Sequence, residues 1–151
     1  MEKRGVRFRI HNELNIIDAL KPVNIEEYVW HLENIEFVEM DDNKKYWNIE
    51  QPFIERGSSF KERLDNSEYY AIFGEIIAFP LKSKPCKVHS YEEFLSSDAE
   101  LVLLIVDVTY IDIYCKDLRL VELLYQNAER NSYEKVEFID ENDPRYKLSV
   151  W

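Results

Sequence analysis

The sequence predicts an α+β fold. It is expected as one domain over residues 1–151, with a single, largely antiparallel mixed sheet and two to four helices packed mainly on one face. Two stretches carry that expectation. Residues 101–117 (LVLLIVDVTYIDIYCKD) join a six-residue apolar run to a strict alternation of apolar and polar residues. These are the marks of a strand buried on both faces and of a half-buried strand, meeting near residues 107–109 in a tight hairpin. Residues 118–131 (LRLVELLYQNAERN) put Leu118, Val121, Leu124, Tyr125 and Ala128 on one helical face, widened by Leu120 and Leu123, with Asp117 as N-cap and Asn131 as stop. With 151 residues, 46% of them hydrophobic, the chain can bury about two-thirds of its extended surface without a metal or disulfide.

The remaining elements follow in chain order. Residues 5–10 (GVRFRI) alternate as a first strand, and Leu14, Ile16, Ile17 and Leu20 form a short helix stopped by Pro22. Residues 28–40 (YVWHLENIEFVEM) admit a helix behind an Asn24/Glu27 capping box. Their β-branched and aromatic content favours a hairpin turning at Glu33-Asn34. Residues 41–45 are a turn, and 47–53 a short strand. Ser59 with Glu62 caps a short helix through Leu64. Residues 69–79 (YYAIFGEIIAF) are a strand ended by Pro80, with Gly74 marking a bulge or a close backbone approach. Ser90 with Glu93 opens another helix. Residues 136–139 are a last strand, and the tail KLSVW is tied down by its apolar side chains.

Three of these stretches carry a family likeness. Residues 69–80 (YYAIFGEIIAFP), 90–117 and 140–151 (DENDPRYKLSVW), together with GVRFRI, resemble a family of small bacterial proteins, mostly from Bacillus-like Firmicutes, designated domain of unknown function 2691. The likeness runs over the whole chain and lies in extended patterns rather than in a catalytic motif. It implies a single cytoplasmic domain. The family carries no established activity, cofactor or catalytic residue to transfer.

Net charge narrows the function. A charge of −11, from 30 acidic and 19 basic residues, argues against nucleic-acid binding and against an anionic membrane surface, both of which need a basic footprint. The N-terminus (MEKRGVRFRI) lacks the apolar core of a signal peptide, and the longest apolar run is too short to span a bilayer, so the expected location is cytoplasmic. The glycines are Gly5, Gly57 and Gly74, which leaves no phosphate-binding loop. His11, His31 and His89 are isolated, and Cys86 with His89 is a lone C-x-x-H without the companion pair a zinc site needs. No catalytic residue, cofactor or metal is expected from these patterns.

The strongest functional signal is a charge pattern. Residues 24–42 hold seven acids and no Lys or Arg, with Tyr28, Trp30 and Phe37 interleaved and Trp47 just beyond. Such a segment is either a solvated sheet face with its aromatics turned inward, or an acidic surface with rigid anchors for a basic protein. The candidate partner-binding residues are Trp30, Glu33, Glu36, Glu39, Asp41, Asp42 and Trp47, joined by Asp112, which sits between two tyrosines on the outward side of its strand. Asp107 is expected as a turn residue. A non-enzymatic protein-interaction module ranks first, in its sharpest form an immunity or antitoxin-like protein that occludes a cationic toxin. A small-molecule or regulatory domain ranks second and an unrecognised enzyme third.

Overall fold

The computed structural model describes residues 2–39, 46–49, 51–145 and 147–150, with residue 39 and residues 46–49 as backbone alone. Among these residues, eight strands form one sheet: β1 (Gly5–Arg9), β2 (Tyr28–Glu39), β3 (Tyr46–Ile49), β4 (Phe53–Arg56), β5 (Tyr69–Pro80), β6 (Leu101–Val106), β7 (Tyr110–Cys115) and β8 (Glu134–Ile139). Four helices join them: α1 (Ile16–Ala19), α2 (Gly57–Asp65), α3 (Tyr91–Ser96) and α4 (Leu118–Arg130). The spatial order is β3-β2-β5-β6-β7-β1-β8, and β4 shares with β3 the outer side of β2. Every strand pairing is antiparallel. The fold is α+β on a single sheet, as the sequence predicts.

Side-chain alternation gives the sheet two buried faces. On the first, Val6, Phe8, Trp30, Phe37, Ile76, Leu103, Ile105, Ile111 and Ile113 pack against α1, α2 and α4. On the second, Ile77, Phe79, Val102, Leu104 and Tyr114 meet Phe94 of α3, Val88 of the preceding loop, and Leu148 and Val150 of the C-terminal segment. The apolar run of β6 is therefore buried on both sides, as its composition requires. The β6–β7 hairpin turns through Asp107 and Val108, both at positive φ (50° and 67°). Asp107 takes the expected turn position.

Local signals locate several helix ends. Ser90 Oγ accepts from the Glu93 N–H (3.1 Å), and Asp117 Oδ1 accepts from the N–H groups of Arg119 and Leu120. Asn131 ends α4. The buried face of α4 is Val121, Leu124 and Ala128 with Leu120 and Tyr125 beside it, whereas Leu118 and Leu123 lie outside. Asn127, on the same face, donates from Nδ2 to the carbonyls of Asp18 (2.7 Å) and Ala19 (3.2 Å), satisfying the end of α1.

Several expected features are corrected, among them the strand at 47–53, whose place is taken by β3 and β4. Residues 28–39 are one continuous strand, not a hairpin; Asn34, at φ 51°, is a bulge. The extra residue switches parity: Trp30 and Leu32 precede it on the first face, and Ile35 and Phe37 follow it there. β5 pairs along nearly the whole of β2, from Tyr28↔Pro80 to Glu39↔Tyr69, and its register shifts opposite the bulge, near Gly74. The capping box at Ser59 is absent because α2 starts earlier. Gly57 packs so closely that a Cβ would stand 2.1 Å from the Ile25 carbonyl oxygen. Ser59 Oγ instead donates to Glu55 Oε2 (2.9 Å). Asn24 likewise makes no side-chain cap, and the turn Ile25–Glu27 is 3-10.

Candidate functional site

The second face of the sheet holds the chain's unusual chemistry. Cross-strand register aligns Glu33↔Glu75, Glu75↔Leu104, Leu104↔Asp112, Asp112↔Arg7 and Arg7↔Glu137. One transverse row thus crosses β2, β5, β6, β7, β1 and β8, and every member except Leu104 is ionisable. Two of its carboxylates are deeply buried: Glu75 is 1% exposed and Asp112 5%. Carboxylates out of water require partners.

Each has them. Arg7 grips Asp112 with both ends of its fork, Nε donating to Oδ1 (2.7 Å) and Nη2 to Oδ2 (2.9 Å). Arg145 Nε reaches the same Oδ2 at 3.1 Å, and Asp143 completes the cluster as an acceptor from Arg7 Nη1. Burial pushes the Asp143 carboxyl up, but the Arg7 hydrogen bond, the Arg145 N–H and the two guanidinium charges bring it below the ordinary aspartate value. The hydrogen bond to Asp112 is the largest influence on Arg7 and raises its pKa further above the usual arginine value. Glu75 Oε2 accepts from Lys87 Nζ (2.6 Å) and Asn34 Nδ2 (2.5 Å), while its Oε1 accepts from the Val150 N–H (3.1 Å). Lys87 also pairs with Glu33 at 2.9 Å. A third network, behind β4, joins Glu55 Oε2 to Arg63 at 2.8 Å and to Ser59.

A strap closes this face. It is the C-terminal segment, described over residues 140–145 and 147–150. Arg145 Nη1 donates to the carbonyls of Lys147 (3.3 Å) and Ser149 (2.9 Å). The Leu148 N–H donates to the His89 carbonyl (3.0 Å), and Lys147 makes an antiparallel bridge with Ser90. Among the described residues, the buried Tyr114 hydroxyl and His31 Nδ1 on this face have no hydrogen-bond partner. Burial, then the charge of Asp112, raises the Tyr114 phenol. Desolvation lowers the His31 imidazole, with Lys87 acting in the same direction and Glu33 against it.

The residues singled out in the sequence are scattered by the fold. Trp30 is fully buried; its indole N–H donates to the Ile25 carbonyl (3.0 Å) and its ring packs on Phe60, so it is a core side chain rather than a surface anchor. Glu33 is held by Lys87. Glu36 is half-buried beyond the bulge. Glu39 and Trp47 lie on β2 and β3, with side chains outside the description, and Asp41 and Asp42 lie outside the described residues. Asp112, expected on an open outward face, lies under the strap. Sequence reasoning missed Arg7, Glu75, Lys87, Asp143 and Arg145. The available signal was Glu75, a lone charge inside the apolar strand YYAIFGEIIAF. Among the described residues no three His, Cys, Asp or Glu side chains gather as a metal set, and no helix is long and apolar enough to cross a membrane.

Comparison with known proteins places the chain. Residues 3–149 match the family described as protein of unknown function DUF2691. The chain belongs to this family. It is also similar to the uncharacterized protein YncE of Bacillus subtilis (strain 168), at 42% identity over 154 aligned residues that cover 97% of this chain and 99% of that protein. No solved structure matches it.

Proposed function

We propose that the protein is a non-enzymatic cytoplasmic binding module that captures a basic protein partner, in the manner of an immunity or antitoxin protein that occludes a cationic toxin. The observation that supports this reading is where the charge goes. The three internal networks hold five carboxylates (Glu33, Glu55, Glu75, Asp112 and Asp143) against four cations (Arg7, Lys87, Arg145 and Arg63), a single net negative charge out of eleven. These buried and half-buried carboxylates are paired in place, and nearly all the net negative charge lies elsewhere. A field of that sign attracts a cationic surface and speeds encounter with it. Glu26, Glu27 and Glu36 lie in the acidic segment, the first two exposed, and Glu26 also pairs with Lys61 at 3.4 Å.

The test is affinity capture from the native host with the tagged chain, washed first at low and then at high salt. A basic protein retained at low salt, released at high salt and held less well by the Glu36→Lys chain is the expected result. Retention of neutral or acidic proteins with no salt dependence would end this reading. A small-molecule reading would draw on surface grooves such as the open one of about 480 Å³ lined by Glu13, Leu14, Asn15, Ser67, Glu68 and Tyr69.

A further inference from the structure

We propose that the face of the sheet beneath the C-terminal strap is itself a docking surface for an extended basic segment, and that the strap is an internal competitor for it. The inference rests on the basic-partner reading above and deepens it.

The argument starts from which groups the sheet satisfies without the strap. Asp112 is already neutralised from within the sheet: Arg7 occupies both of its oxygens from the neighbouring strand β1. Arg145 is a second cation on the same carboxylate. Glu75 is similarly held through Oε2 by Lys87 and Asn34, neither of which belongs to the strap, while Oε1 is taken by the strap's Val150 N–H. Lifting the strap therefore strands neither acid without a counter-ion. It frees Glu75 Oε1 and the second acceptor position of Asp112 Oδ2, which keeps its hydrogen bond from Arg7 Nη2.

Those two acceptors lie on the same transverse row on either side of Leu104, two strand spacings or roughly 10 Å apart. The floor between and around them is the apolar surface of Phe79, Val102, Leu104 and Tyr114, which now receives Leu148 and Val150. The chemistry that fits is written in the strap: a guanidinium over Asp112, a backbone N–H over Glu75, and apolar side chains alternating with them. A partner segment with an arginine and flanking apolar residues reproduces it, and the surface negative charge brings such a segment in. The Tyr114 hydroxyl, buried without a partner beside this cluster, is a further polar group that the strap leaves unanswered. Other ionisable groups on this face of the sheet are Glu33, Glu137 and His31, and at the Ser90 end the Glu93 carboxylate accepts from the His89 N–H.

Competition makes a prediction opposite to simple charge capture. The probe is a nona-arginine peptide, titrated by calorimetry against the full chain, Arg145→Gln and Arg119→Gln. The last removes the same positive charge from an exposed site on α4, away from the strap. Hydrogen exchange at the Leu148 and Val150 amides is followed in each case. The expected result is binding about tenfold tighter for Arg145→Gln than for Arg119→Gln, with loss of protection at both strap amides when peptide binds the wild-type chain. Equal affinities of the two variants, with the strap amides protected throughout, would overturn the docking surface and leave capture by the outer surface standing. No binding by any of the three would overturn both. If Arg145→Gln is poorly folded, Arg145→Lys serves, because a lysine keeps the charge but loses the planar fork.

Discussion

Asp112 shows how little a residue's immediate neighbours in sequence say about its role. Between Tyr110 and Tyr114 in an alternating strand it reads as a solvated position, yet it is buried with Arg7 and Arg145 on its oxygens. Arg7 is 105 positions away in the chain, so no sequence window contains both. Replacing Arg7 with Ala leaves a buried carboxylate relying on the strap alone, and chemical denaturation should show a loss of about 3 kcal/mol. Val108 carries strain of another kind, a β-branched residue at φ 67°. Val108→Gly should leave the midpoint of thermal unfolding unchanged or raise it, since the relieved strain of about 1 kcal/mol or more offsets the lost side-chain contacts. His31 gives a pH signature. Its folded pKa lies below the unfolded value of 6.5, so the unfolded chain binds the proton more readily. Its contribution to stability is complete above that value and is lost as pH falls below 6.5 toward the folded pKa. Urea unfolding at pH 7.5 and 5 should therefore show a larger loss for the wild type than for His31→Leu.

Elements were legible where the signal is local. The β6–β7 hairpin, the long strand β5, and the N-caps at Ser90 and Asp117 all follow from residue types at short spacing. Asp117→Ala should cost about 1 kcal/mol, seen as a fall of roughly 3 °C in the melting temperature. β2 reads as a hairpin in the sequence because a bulge residue and a turn residue look alike: Asn34 tolerates positive φ in either setting. What decides between them is β5, which runs antiparallel beside β2 across the bulge and holds the chain straight. That partner is more than thirty residues away. The strap was legible only as a tail that docks. Its ionic contacts depend on a row assembled from six strands, and of that row the sequence pointed only to Glu33 and Asp112. The strap is also the element expected to open first. Its backbone is tied to the sheet by an isolated bridge at Ser90 rather than by a full ladder, so its amides should exchange faster than those of β6, the doubly buried centre of the sheet.

The molecule as a whole separates its charges by depth. Inside, carboxylates and cations nearly cancel; outside, negative charge dominates. The interior pairs are screened little by salt and the exterior field strongly. Stability should accordingly change little between low and moderate ionic strength, while any association with a basic partner weakens steeply. The measurement that tests the central claim most directly is the affinity of this chain for a basic protein captured from its host, determined by calorimetry across a series of ionic strengths. A steep fall in affinity with added salt, made shallower by Glu36→Lys, is the predicted result. An affinity that does not change with salt would contradict a module built to capture by charge.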